Sequence, residues 1–268
     1  MDVTSGSDDL DPTAGRDRMA DLEGHQLAAT LATEAGGLLV DLRAELEARG
    51  VAANELKDEG DRRSHELLMR RLAEARPGDA VLSEEGKDDT ARLEARREWI
   101  VDPLDGTREF GEPPRTDWAV HVALVEDGVP TAGAVALPAL DTTLSTAAPS
   151  SLLPAPVGRP RIICSRTRPG PAAEMLADEL DGELIHMGSA GAKAMAVVRG
   201  EADVYAHTGG QYEWDSCAPV AVAAAAGLHA TRLDGERLVY NREDPYLPDL
   251  LICRPELVEQ VLQILINA

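Results

Sequence analysis

Carboxylates carry most of the chemistry that can be built from this chain. The run Trp99-Ile-Val-Asp102-Pro-Leu-Asp105-Gly-Thr107 places two aspartates three positions apart at the end of an apolar stretch. Pro103 holds the residue before it extended, and Asp105-Gly106 forces a turn, so both carboxylates can converge on one point. Magnesium takes hard oxygen ligands at near-octahedral geometry, from carboxylates, water and phosphate, and suits such a turn. Gly106 lets the backbone approach a ligand closely. A helix beginning near Thr107 would aim its free N–H groups at an anion beside the cations. The same residue types also make an ordinary turn, and this run alone does not separate the two readings.

Three further acidic positions bear on the choice. Glu84-Glu85 follows the apolar Val81-Leu82, Asp215 opens a strongly apolar helix after Glu213-Trp214, and Asp61 stands where a second helix is expected to start. A solvated glutamate pair and two helix caps would explain each of them singly. Jointly, and in this order, they describe a shared cation site. In the second half, Gly188-Ser189 lies between a strand and a helix and offers amides and a hydroxyl to a sugar or phosphate, with Lys193 adding a cation. An N-cap and a solvated lysine account for the same residues. Ser165-Arg166-Thr167-Arg168 can grip a phosphate bidentately or be a plain basic loop. Arg108 can meet a phosphate or cap a helix.

The elements that must position these residues follow from periodicity. Apolar residues recur at helical spacing from about Met19 to Ala48, and a second helix is expected from about Asp61 to Ala75. Ala80–Leu82 and Trp99–Val101 read as strands ending in acidic residues, and Trp118–Val125 with Thr131–Leu137 reads as a hairpin around Glu126-Asp127-Gly128. After a Pro/Gly/Ala linker near 154–160, strands and helices alternate to the C-terminus, which implies an α/β second half. The expected organisation is a disordered tail over 1–16, an α+β segment over 17–155 with most of the acidic site, and an α/β segment over 156–268 with the substrate loops and Asp215. The two segments share one cleft.

Composition sets the class. With 26 basic against 48 acidic residues the net charge is −22, which disfavours nucleic-acid polymers and anionic membranes but not a small anion, because bound cations invert the local sign. The acidic start lacks the apolar core of a signal peptide, and the longest apolar candidate, Val220 to Leu228, falls short of the ~20 residues of a membrane span. Cys164, Cys217 and Cys253 read as reduced, buried thiols of a cytoplasmic protein. Aromatics make up only 3% of residues, so the interior must be filled by alanine, valine and leucine.

Asp102-Pro-Leu-Asp105-Gly-Thr107, together with Trp214-Asp215, Glu84-Glu85 and Asp61, resembles the signature set of the inositol monophosphatase superfamily over nearly the whole folded chain. The resemblance implies that family's layered αβαβα sandwich and a magnesium-dependent phosphatase using two or three ions. By the same resemblance Glu84, Asp102, the Leu104 carbonyl, Asp105 and Asp215 hold two ions, and Asp61 helps to bind a third or its waters. Asp61 with Thr107 orients and deprotonates the attacking water, and the amides of Gly106 and Thr107 hold the phosphate. Glu213-Trp214-Asp215 and Lys193 resemble the bisphosphate nucleotidases rather than the inositol branch. Gly210 and Gln211 depart from the Pro and Thr usual there and, with Ser189-Ala-Gly-Ala-Lys193 and Asp244-Pro-Tyr-Leu-Pro-Asp249, resemble the actinobacterial CysQ branch. Ser165-Arg166 resembles a motif that faces the nucleotide in those enzymes, and Tyr212 and His207 are candidates to pack against adenine. The activity implied is removal of the 3'-phosphate of adenosine 3',5'-bisphosphate, and of its sulfated analogue, in clearing a by-product of sulfate activation. Inhibition by lithium is implied as well, and dimerisation is common in the family. The alternative is an inositol 1-phosphate or fructose 1,6-bisphosphate phosphatase on the same metal site.

Overall fold

The computed structural model describes residues 23–154 and 158–267; the tail expected over 1–16 and the expected first turn of the leading helix lie outside them. Helix α1 (Gly24–Ala48) buries Leu27, Leu31, Ala35, Leu39, Leu42 and Leu46 along one stripe, and Gly50 stops it at φ +67°. Helix α2 spans Ala53–Ala75, so it begins eight residues before the expected start. Its buried face, Leu56, Gly60, Ser64, Leu68 and Leu72, keeps a four-residue spacing upstream of Asp61, and that spacing prolongs the helix. Asp61 is therefore a mid-helix residue and not a cap.

Five strands follow in the first sheet: β1 (Ala80–Ser83), β2 (Arg97–Asp105), β3 (Ala119–Glu126), β4 (Val129–Leu137) and β5 (Thr142–Ser145), ordered as in the sequence. β1 and β2 are parallel and the other pairs antiparallel. The β3–β4 hairpin turns on Asp127 and Gly128, both at positive φ, 51° and 78°, as a two-residue turn of the expected type requires. β5, Thr-Thr-Leu-Ser, carries no run of apolar residues to announce it and is held by pairing to β4.

The second sheet has β6 (Arg161–Ser165), β7 (Glu183–Met187), β8 (Val204–Tyr212), β9 (His229–Thr231) and β10 (Tyr246–Cys253) in the order β7-β6-β8-β10-β9. Between the strands lie α3 (Thr107–Phe110), α4 (Pro171–Glu179), α5 (Ala190–Val198) and α6 (Glu213–Ala225), and α7 (Val258–Ile266) closes the chain. β8 runs six residues past the expected Ala206, because β10 pairs with it as far as Tyr246 opposite Tyr212.

Side chains alternate across each strand and sort the interior into three buried layers. Trp99, Val101, Val120 and Val122 pack under α1 and α2. Ile100, Ala123 and Val135 face α5 and α6, which meet Tyr205, Leu250 and Ile252 of the second sheet. Ile162, Val204 and Leu251 turn to α4 and to Val261 of α7. The order is helices, sheet, helices, sheet, helices: the αβαβα sandwich. Small residues let the layers close, since a Cβ on Gly133 of β4 would come within 2.7 Å of Ala221 on α6. The three cysteines are buried and free, and no helix among the described residues is long and apolar enough to cross a membrane.

Candidate active site

β2 is irregular where its acidic residues stand. Asp102 pairs opposite His121 and Asp105 opposite Ala119, three steps on one strand against two on its neighbour. Residues three apart on a regular strand face opposite sides; the extra residue of the bulge returns Asp105 to the side of Asp102. The first turn of α6 brings the third acid, and carboxylate oxygens of Asp102, Asp105 and Asp215 all lie within 4.8 Å of one another. Asp215 is the third residue of α6, where its Oδ2 accepts the Tyr212 N–H at 2.7 Å. It is thus the return partner of a capping box and not the N-cap itself.

Helix α2 docks closely on this turn. A Cβ on Gly60 would come within 2.7 Å of the Phe110 ring and 2.8 Å of Leu104, and Ser64 Oγ donates to the Pro103 carbonyl at 2.6 Å. That approach carries Asp61 to Thr107, whose Oγ1 lies 3.3 Å from Asp61 Oδ1 and 3.0 Å from the Leu104 carbonyl oxygen. Gly106, at φ +85°, is required twice over, by its left-handed backbone and by Ser189 Cβ, which a Cβ at 106 would meet at 3.0 Å.

The acids divide into two electrostatic kinds. Asp102 is buried, and desolvation followed by the charges of Glu84, Asp105 and Asp215 pushes its pKa well above the carboxylate range. Glu84 stands just past β1. Crowding out of water within the cleft, then Asp215, raises its carboxyl to about 7, although its outer surface remains exposed. Burial and Asp105 raise Asp215 to about 6; burial and Glu85 raise Asp61 to about 7. Asp105 goes the other way. Burial opposes its charge, but hydrogen bonds from His121 and Ser189 and the charges of His121 and Lys193 hold its pKa below the ordinary value. It accepts the Ser189 hydroxyl, the Ala190 N–H (3.1 Å) and the Gly191 N–H (2.6 Å), and His121 Nε2 stands 3.2 Å away. The donor set, hard oxygens converging with mutual repulsion that a cation at their centre would relieve, fits a divalent metal ion.

Several residues expected to touch substrate are engaged elsewhere. Glu213 has no exposed surface, and its two oxygens accept the N–H groups of Asn241 and Arg242, both at 2.9 Å; a side chain without accessible atoms cannot contact a ligand directly. Lys193 is buried and donates to the Ser189 carbonyl at 2.5 Å, with its ammonium 5.4 Å from the Tyr205 ring centre. The Ser189 hydroxyl and the amides after it serve Asp105, and the Gly188 N–H donates to Asp117 at 2.6 Å. Arg166 bridges Glu109 (2.6 Å) and Glu112 (2.7 Å). Ser165 Oγ accepts from the amides of Thr167 and Arg168. Arg108 is exposed beside Thr107 without a partner among the described residues, and Tyr212 is exposed next to Asp215.

Sequence reading missed His121. It is buried, donates from Nδ1 to the Trp214 carbonyl across 3.0 Å, and ties Asp105 to α6. A Cβ on Gly191 would fall 2.0 Å from its Nε2, so that position must be glycine for the ring to fit. The available signal was a single titratable residue inside the apolar Ala119-Val-His-Val-Ala-Leu run. Glu109 and Asp117, which anchor Arg166 and the Gly188 turn, gave none.

A layered αβαβα sandwich with an acidic cluster at the junction of its two sheets defines a class of hydrolase, and the match to known proteins agrees with it. The model of the inositol monophosphatase family matches residues 26–151 and 164–265; the chain belongs to that family. It is 49% identical over 265 residues to a 3'-phosphoadenosine 5'-phosphate phosphatase of Mycobacterium leprae, covering 93% of this chain and 96% of that relative. It is 32% identical over 197 residues, 69% of this chain and 79% of the other, to the 3'(2'),5'-bisphosphate nucleotidase CysQ of Escherichia coli K12. Among solved structures, CysQ from Bacteroides thetaiotaomicron superposes with a TM-score of 0.70 at 29% identity, over 85% of this chain and 96% of that one.

Proposed function

We propose that the chain removes the 3'-phosphate of adenosine 3',5'-bisphosphate, giving AMP and phosphate, and accepts the sulfated analogue as a second substrate. The observation that carries this is the convergence of Asp102, Asp105 and Asp215 within 4.8 Å beside the Asp61–Thr107 pair, in a chain 49% identical to a phosphatase of that name.

In this reading Glu84, Asp102, the Leu104 carbonyl, Asp105 and Asp215 hold magnesium, two ions or three, with Asp61 serving the third. Such cations supply Lewis acidity, making water more acidic and neutralising charge on a phosphoryl group. The protein's own part is to position and to move a proton. The Thr107 hydroxyl fixes the direction of approach of the attacking water, and Asp61 Oδ1, 3.3 Å from it, takes that water's proton. Asp61 suits the task because burial raises its basicity toward neutral pH. The Gly106 and Thr107 amides steady the phosphate, with Arg108 at its rim. Asp105 is held charged and fixed by the α5 N-terminus and His121, so the cluster keeps its shape before any ligand enters. Three buried free thiols suit a reducing compartment, and we place the enzyme in the cytoplasm.

Phosphate release should depend on magnesium, and kcat/KM for adenosine 3',5'-bisphosphate should exceed those for inositol 1-phosphate and fructose 1,6-bisphosphate. An order about tenfold the other way would move the substrate to one of those esters and leave the metal site standing.

A further inference from the structure

Beside Asp215 two exposed tyrosines gather around a half-buried tryptophan, in a protein with few aromatics. Tyr212 stacks on Trp214 with ring centres 4.8 Å apart and an interplanar angle of 12°. Tyr246 meets Tyr212 edge-on, 6.1 Å away at 80°. Tyr212 and Tyr246 remain 46% and 44% exposed, so the face of Tyr212 turned away from Trp214 is open, with Tyr246 standing at its side. Large exposed aromatics cost solvation unless something covers them.

The corner is built and not incidental. Gly210, at φ +85°, admits the Tyr246 ring: a Cβ there would fall 2.3 Å from its hydroxyl and 2.6 Å from Cζ. The segment that carries Tyr246 is tied to α6 by Glu213, which receives Asn241 and Arg242 on its carboxylate and donates its own N–H to the Pro245 carbonyl at 2.8 Å. The Tyr212 N–H is bonded to Asp215 itself. The aromatic corner and the acidic cluster are thus joined through Asp215, which bonds the backbone of the residue that carries the stacking ring.

We propose that Tyr212, Trp214 and Tyr246 form the base-binding wall of the site, with a purine ring stacked on the open face of Tyr212 against Tyr246, and that Glu213 is the positioning residue that holds Tyr246 there. The proposal rests on the nucleotidase reading above and assigns its base recognition. Every base has a π-face that an aromatic side chain can cover. The buried Glu213 thus favours a nucleotide indirectly, through the loop it anchors.

The test compares kcat/KM for adenosine 3',5'-bisphosphate with kcat/KM for a base-free ester, p-nitrophenyl phosphate, in the full-length enzyme with magnesium. Tyr212→Ala and Tyr246→Ala should lower the ratio about tenfold, mainly through KM for the nucleotide, and Tyr212→Phe and Tyr246→Phe should stay within about twofold of wild type. Glu213→Gln, with one acceptor where two are needed, should move the ratio in the same direction by less. Equal losses on both esters, or a fall in kcat alone, would overturn the proposal. Binding provides an arm independent of turnover. Trp99 and Trp118 are buried, so a change in tryptophan emission on adding 5'-AMP reports Trp214. Quenching by AMP that Tyr246→Ala weakens supports the wall even if the bisphosphate proves not to be hydrolysed; no quenching in the wild type overturns it.

Discussion

The two walls of the cleft use polar residues in opposite ways. On the first-sheet side, burial first and then neighbouring carboxylates lift the pKa values of Asp61, beside Glu85, and of Glu84 and Asp102, which face Asp105 and Asp215. On the second-sheet side the groups that the sequence offers as substrate contacts are already paired: Ser189 and the α5 amides with Asp105, Lys193 with the Ser189 carbonyl, Arg166 with Glu109 and Glu112, Glu213 with two backbone amides. Polar groups left in surplus are the ones that await a ligand, and groups that satisfy each other hold the shape. Asp105 belongs to both walls, since it joins the acidic cluster yet receives the second wall's donors.

That contrast is most exposed to failure at Asp102 and Asp105, which are three residues apart. Asp102→Asn and Asp105→Asn should each cut turnover on the order of a thousandfold or more, since each removes a charge that cations need. Their stabilities should part. Asn at 102 is neutral without taking up a proton on folding, which buried Asp102 must do, so the metal-free protein should melt a few degrees higher, about 2–4 °C per kcal/mol gained at this size. Asn at 105 turns an NH2 toward the Ser189, Ala190 and Gly191 donors and should melt lower. Thermal melts in EDTA decide; equal shifts for the two variants would erase the distinction between the walls.

A second effect follows from protons. Carboxyls at about 7 (Asp61, Glu84) and about 6 (Asp215) in the folded chain sit near 4 when unfolded. Between those values the native state binds more protons than the unfolded one, so stability is gained as pH falls and lost as pH rises through the folded values. Metal-free protein should therefore gain several degrees of melting temperature from about pH 8 to about pH 5. Saturating magnesium, which binds the deprotonated acids and itself stabilises by mass action, should flatten or reverse that slope. Parallel slopes with and without magnesium would place the proton uptake outside the cluster.

How much of this could be read from sequence depended on whether a residue's partners were close in the chain. The sandwich was legible because alternating strands and amphipathic helices announce themselves by period, and Asp102 and Asp105 because one rigid turn carries both. The bulge that points them the same way was not legible, since it is set by the pairing of β2 to β3. The early start of α2 was hidden by its polar Lys57-Asp-Glu face. Lys193 and Glu213 stand out in sequence as resembling one branch, but whether a charged side chain meets a ligand or a backbone group is decided by packing: Glu213 takes the amides of Asn241 and Arg242 from a distant loop, and buried Lys193 turns back to the Ser189 carbonyl. His121 sits in an apolar strand and bonds to α6, a partner no local pattern names.

The finest separation between the walls lies in two arginines flanking the same cleft. Arg166 is spent on Glu109 and Glu112 at 2.6 and 2.7 Å, and Glu109 is buried. Arg166→Ala would leave that carboxylate without its main donor, a loss of about 1–2 kcal/mol that should appear as a melting shift of a few degrees with KM changed little. Arg108 is exposed next to Thr107 and unpaired among the described residues, so Arg108→Ala removes no internal bond and should leave the melting curve in place. Its guanidinium is instead free to meet the substrate's phosphate, and its loss should raise KM a few-fold, more at low salt than at high, as for a rim charge. Melting curves and KM at two ionic strengths check both halves. An Arg166 variant that raises KM without destabilising, or an Arg108 variant that melts early with KM intact, would mean that pairing in the ligand-free cleft does not distinguish structural from functional charge in this protein.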